Sequence, residues 1–223
     1  MEAHLASETD LAGFRVEAQA LLSKQVPPES VQWQTARTMD ADLFADPANA
    51  ADSRPQSVPK AASAIVPASF LRLCEIVVLH HDADRFALLY RLLWRLVHEP
   101  GLRNNPVDAD MLHAHQMAQS VRRDIHKMKA LLRFNDVHED GSVTMQAAWF
   151  EPAHHIVEVV APWFAKRSRE QRWVIFTPER SVEWDGAQLH FAPGLPRSDA
   201  PPADASDSDW LARYRKVYCS TPS

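Results

Sequence analysis

Arg172-Trp-Val-Ile-Phe-Thr177, Ser181-Val-Glu-Trp184 and Ala187-Gln-Leu-His-Phe191 are three short apolar or alternating runs packed into one stretch of the chain. Their period is that of β-strands, and Asp185-Gly186 is a residue pair that closes tight two-residue hairpins. The stretch predicts an antiparallel β-meander. Upstream of it the period changes to that of helices, apart from a strand predicted at Val143-Thr-Met-Gln-Ala-Ala-Trp-Phe150.

Asp10 precedes Phe14, Ala18, Leu21 and Leu22 at near-helical spacing, and Pro27-Pro28 stops that helix. A second helix begins at Pro67 with a continuous apolar run. A third spans Arg85 to His98, with Phe86, Leu89, Leu93 and Leu96 on one side, and Pro100-Gly101 ends it. The longest, Val107 to Phe134, repeats apolar residues at Met117, Val121, Ile125, Met128 and Leu132. A short helix is expected around His154 to Val160, and a last one from Asp209 to Tyr218. The fold class that follows is α+β, a mainly helical N-terminal two-thirds followed by a small antiparallel β-meander in a single domain. Residues 1–34 form its N-terminal helical segment. Residues 35–66, rich in Ala, Pro, Asp and Ser, form a linker or loose crossover, and 67–223 the main body.

Composition narrows the function. A hydrophobic share of 46% supports a real core. No apolar run is long enough for a membrane span, and Met1-Glu-Ala-His-Leu5 lacks the basic-then-apolar order of a signal peptide. A cytoplasmic protein without membrane partners is expected. Cys74 and Cys219 stand far apart and offer no zinc-ribbon or iron–sulfur spacing. The chain has 5 glycines and no Gly-rich phosphate loop or Gly-x-Ser-x-Gly elbow, which argues against nucleotide-dependent catalysis.

Charge is unevenly spread. From Arg85 to Phe134 nine basic residues stand against four acidic ones, in a chain whose formal net charge is -5. Within that region Arg122, His126, Lys129 and Arg133 recur at i, i+4, i+7 and i+11, with Arg123 and Lys127 beside them. Cations along one side of a rigid rod can neutralise successive phosphates. The plain alternative is a solvated helix face. Trp149, Trp163, Trp173, Trp184 and Trp210 could stack unpaired bases, although Trp173 and Trp184 sit in strand patterns that favour packing. The histidine pairs His80-His81, His113-His115 and His154-His155 come without Cys partners or a His-Glu-x-x-His helix, so neither a metal nor another cofactor is expected. Glu151, His154 and His155 could supply acid–base chemistry, against the alternative of a hydrogen-bonded surface turn.

Four blocks are distinctive: Arg85-Phe-Ala-Leu-Leu-Tyr-Arg-Leu-Leu-Trp-Arg-Leu-Val-His-Glu-Pro100, Val121-Arg-Arg-Asp-Ile-His-Lys-Met128, Trp149-Phe-Glu-Pro-Ala-His-His-Ile-Val-Glu158, and Trp173-Val-Ile-Phe-Thr-Pro-Glu-Arg-Ser-Val-Glu-Trp-Asp-Gly186. Together they resemble a bacterial family of uncharacterised DNA metabolism proteins, over nearly the whole chain from Leu11 to Tyr214. Members of that family stand beside a radical-SAM DNA repair protein or are fused ahead of a uracil-DNA glycosylase domain of the UdgX type. The resemblance implies a role in DNA repair or modification and brings no catalytic residues with it. This sequence departs from the family pattern at Lys129-Ala-Leu-Leu132 and Arg167-Ser168, where the family has aromatics. It also departs after Lys216, where the family continues through an Asn-Pro-Ala-Arg stretch and this sequence reads to Cys219-Ser-Thr-Pro-Ser223. A shortened C-terminal surface is expected.

The reading is an accessory DNA-repair module, more an adaptor than an enzyme, whose partners are DNA and either a uracil-DNA glycosylase domain or a radical-SAM repair protein. Its DNA-binding residues are Arg122, Arg123, His126, Lys127, Lys129 and Arg133. Two alternatives stay open: an enzyme acting on a damaged base through Glu151, His154 and His155, and a docking module for an acidic protein without DNA contact.

Overall fold

The four residues Trp173–Phe176 form a strand in which every side chain is buried. A strand covered on one face alternates buried and exposed side chains, so this one lies inside a sheet covered on both faces. The computed structural model that shows it describes residues 1–35, 66–105, 107–202 and 204–219. By backbone contact the chain falls into two compact units, 1–122 and 123–223. The linker expected over 35–66 lies, except for its two end residues, outside the described residues.

The second unit holds strands β3 (Asn135–Glu139), β4 (Ser142–Trp149), β5 (Trp173–Phe176), β6 (Arg180–Trp184) and β7 (Leu189–Pro193) in the spatial order β3-β4-β5-β6-β7. The expected antiparallel meander is β5-β6-β7. Two further strands extend it, and β4 pairs with β5 in parallel, so the sheet is mixed rather than antiparallel throughout. The parallel step needs a crossover, which helix α5 (Val157–Arg167) supplies.

On one face of β5, Trp173 meets Phe164 of α5 at a ring separation of 6.3 Å. On the other, Val174 and Phe176 join a core with Val137, Met145, Ala147, Leu195 and Trp210. Trp210 belongs to the last helix, α6 (Asp207–Tyr214), and stacks on Phe176 at 6.3 Å. Ser206 and Asp209 form a reciprocal capping box at the start of α6, and a single π-turn follows at Arg215–Cys219.

The tight hairpin expected at Asp185-Gly186 forms instead at a second Asp-Gly pair. Asp140-Gly141, not singled out by the pattern, makes the two-residue hairpin between β3 and β4, with Glu139 opposite Ser142 and both φ angles positive, 53° and 81°. Asp185-Gly186 instead begins a four-residue loop, because Trp184 pairs with Leu189. The Asp185 carboxylate accepts the Ala187 and Gln188 N–H groups, each at 2.7 Å, and this holds the loop open by two residues. The helix expected around His154 begins later, at Val157, since the Ala153 and His154 N–H groups are taken by a side chain, Asp124.

The first unit holds α1 (Leu11–Ser23), α2 (Ala68–Val77) and α3 (Arg85–His98), close to their expected bounds. A parallel pair of short strands was not expected there: β1 (Glu2–Leu5) against β2 (Gln32–Thr35). Trp33 of β2 brings an indole to the aromatic core, 5.0 Å from Phe14, 6.2 Å from Phe86 and 5.8 Å from Tyr90. Helix α4 (Ala109–Leu131) spans the division between the units. No helix among the described residues is long and apolar enough to cross a membrane.

Candidate nucleic-acid interface

Much of the positive charge in the middle of the chain is neutralised within the first unit. Arg85, 1% exposed, is paired with Glu8 at 2.6 Å. Arg91 is held by Asp110 at 2.8 Å, and Arg95 by Asp108 at 2.7 Å and Glu99 at 3.0 Å. The Arg95 hydrogen bond holds the Asp108 carboxyl below the usual carboxylate range, and that of Arg91 does the same for Asp110. These arginines have their counter-ions already. The uncompensated charge lies further along α4.

Arg122, Arg123, His126 and Lys127 are all exposed, one turn of helix joining Arg122 to His126 and Arg123 to Lys127. No ion pair to a carboxylate forms at any of the four among the described residues. The one acidic residue of the stretch, Asp124, is turned inward and is 7% exposed. Its Oδ2 accepts the Ala153 N–H at 2.8 Å and the His154 N–H at 3.0 Å, while burial pushes its pKa up. The exposed surface of this segment is therefore cationic.

The other two residues of the expected stripe have additional work. Lys129 is half-buried, with its Nζ 5.4 Å from the centre of the Trp163 ring on α5. Arg133 lies past the end of α4 and donates from Nη1 to the Ala130 and Leu132 carbonyls at 2.8 and 3.1 Å, satisfying helix-end acceptors. The sequence pattern missed Arg167, whose guanidinium carbon stands 5.5 Å from the same Trp163 ring. Its signal was its place one turn after Trp163 on α5.

The residues of the expected acid–base group have the following partners. Glu151 pairs with Arg197 at 3.0 Å and accepts the Trp149 indole N–H at 3.3 Å. His154 is buried. His155 has its Nδ1 2.7 Å from a carboxylate the sequence pattern did not single out, Glu179, in the turn between β5 and β6. Of the tryptophans, Trp173 and Trp210 are core, and Trp184 is half-buried with its N–H on the Arg169 carbonyl at 3.3 Å. A separate cleft of about 650 Å³ in the first unit is floored by Phe70, Leu73, Leu96 and Leu102.

The model of a family described as a domain of unknown function, DUF4130, matches residues 83–217. That span is more than half of the chain and contains every residue of the candidate interface. No curated protein and no solved structure matches.

Proposed function

We propose that this chain, which belongs to the DUF4130 family of domains of unknown function, is an accessory module of DNA metabolism that grips DNA phosphates through the exposed cations of α4. The observation that carries the reading is the set Arg122, Arg123, His126 and Lys127, exposed together on one rigid helix with the neighbouring carboxylate, Asp124, turned away. Phosphate contacts of this kind position a protein on DNA without reading sequence. The catalytic step then belongs to a partner, and the resemblance of the sequence blocks points to a uracil-DNA glycosylase domain or a radical-SAM repair protein.

Binding to labelled oligonucleotides across a salt series tests this. Three or four phosphate contacts give a slope of log affinity against log salt of about -3 for duplex DNA and about -2.5 for a single strand. Replacing Arg122, Arg123 and Lys127 together with alanine is expected to flatten that slope while the urea midpoint stays that of the parent. Unchanged slope and affinity in the triple variant would place the DNA contact elsewhere. Absence of binding by the parent at low salt would point to protein docking.

One observation favours a second reading: a carboxylate, Glu179, holds His155 at 2.7 Å, as general bases are commonly held. Turnover of a damaged oligonucleotide by the parent and its loss in His155→Gln would support an enzyme.

A further inference from the structure

We infer that Trp163, with Lys129 and Arg167, is a stacking station for an unpaired base, so that the ligand of this module is single-stranded DNA. The inference rests on the phosphate-binding reading of α4 and adds the form of the strand.

Trp163 and Phe164 are neighbours on α5 with different fates. Phe164 turns into the core, 5% exposed, and packs edge-on against Phe134 and Trp173. Trp163 is half-buried, with exposed Val159 one turn before it and exposed Arg167 one turn after. Burial of the tryptophan for stability is the usual outcome, and Trp173 and Trp210 show it in this unit. Trp149 and Trp184 at least commit their indole N–H groups, to Glu151 and to the Arg169 carbonyl. No such hydrogen bond is formed by the Trp163 indole among the described residues.

Its polar neighbours are two cations, the Lys129 ammonium at 5.4 Å and the Arg167 guanidinium at 5.5 Å from the ring centre. Neither makes an ion pair among the described residues. A partly exposed aromatic ring with unpaired cations over it offers what single-strand binders use, the ring taking a base once a cation moves off it and the cations the adjoining phosphates. The indole face has no bonding partner in a duplex, whose bases are already stacked on one another.

Lys129 ties the station to the cationic face. It follows His126 and Lys127 on the same helix and stands seven positions after Arg122, about 10 Å of helix rise. A strand whose phosphates follow Arg122 to Lys127 along α4 reaches Trp163 through Lys129. When a base arrives, a cation leaves the ring for a phosphate, and cation–π contact is exchanged for stacking and a charge pair.

The test is fluorescence anisotropy of the full chain with a labelled oligothymidylate and with a duplex of equal length, over a salt series. Trp163→Leu is expected to weaken single-strand binding about tenfold and to leave the salt slope and the duplex affinity as they were. Trp163→Phe, which keeps a ring, is expected to restore most of the loss. Lys129→Gln with Arg167→Gln retains the indole and serves if Trp163→Leu lowers the urea midpoint; it is expected to weaken single-strand binding and reduce the slope. Equal affinity of parent and Trp163→Leu for the single strand, or equal losses on both DNA forms, would overturn the stacking station while leaving the phosphate reading of α4 intact. An unchanged slope in the Arg122, Arg123 and Lys127 variant would instead overturn that reading.

Discussion

The Arg85 guanidinium donates to the carbonyls of Val78 at 3.0 Å, Asp82 at 2.8 Å and Glu8 at 2.6 Å, and also meets the Glu8 carboxylate at 2.6 Å. One side chain thus ties the start of α3 to the turn before it and to a residue 77 positions earlier. A buried ion pair gains little over an apolar packing of the same shape, yet removing one partner strips several acceptors of their donor at once. Arg85→Met is therefore expected to cost about 3–5 kcal/mol of stability, measured as a lower urea midpoint. A cost under about 1 kcal/mol would mean that water or another donor replaces the guanidinium at the same carbonyls. Binding to DNA, corrected for the folded fraction, is expected to stay that of the parent, because this charge does not face solvent.

The elements show what a period can and cannot reveal. Helices α1 and α3 were legible because capping Asp10, Pro27-Pro28 and Pro100-Gly101 bracket apolar residues at helical spacing. Strand β3 was not, since Val137 is its only buried residue and one apolar side chain defines no period. The short strands β1 and β2 were missed because each has only four residues, too few for the alternation of Ala3 and Leu5 in β1 to stand out as a period. In the candidate interface the stripe on α4 was visible from spacing alone, whereas the tasks of Lys129, Arg133 and Arg167 depend on α5 and on where α4 ends. Close backbone approach is equally silent in the sequence. A Cβ at Gly194 would stand 2.3 Å from the Pro178 carbonyl oxygen, where the Gly194 and Leu195 N–H groups bond the Glu179 and Thr177 carbonyls. Gly194→Ala must push β7 off the turn between β5 and β6, and a loss of about 1–3 kcal/mol is expected by thermal or urea unfolding. Gly101→Ala, whose Cβ meets nothing within 4 Å, is the control and is expected to change stability little.

At the scale of the whole molecule, acidic charge that is paired and acidic charge that is buried respond to pH in opposite directions. Asp108 titrates below the usual carboxylate range because Arg95 hydrogen-bonds its ionised form. The folded chain therefore binds fewer protons there than the unfolded chain, and the stabilisation from Asp108 is complete above about pH 4 and lost as the pH falls through the folded pKa. Asp124 titrates above that range because burial disfavours its charge, even with two backbone N–H groups bonded to it. In its window the folded chain binds more protons, so stability from this residue is present below about pH 4 and is lost as the pH rises through the folded value. Asparagine can accept the same backbone hydrogen bonds in both places without titrating. The stability advantage of the parent over Asp108→Asn is expected to shrink on acidification below about pH 4, and that over Asp124→Asn to shrink on raising the pH above it. Urea midpoints of the three proteins between pH 3 and pH 7 measure both, those bounds being set by the roughly pH 4 reference for carboxylates. A flat difference for Asp124→Asn would mean that its carboxylate is hydrated in the folded chain, and a carboxylate in contact with water would put negative charge back on the cationic face of α4 and weaken its claim on phosphate.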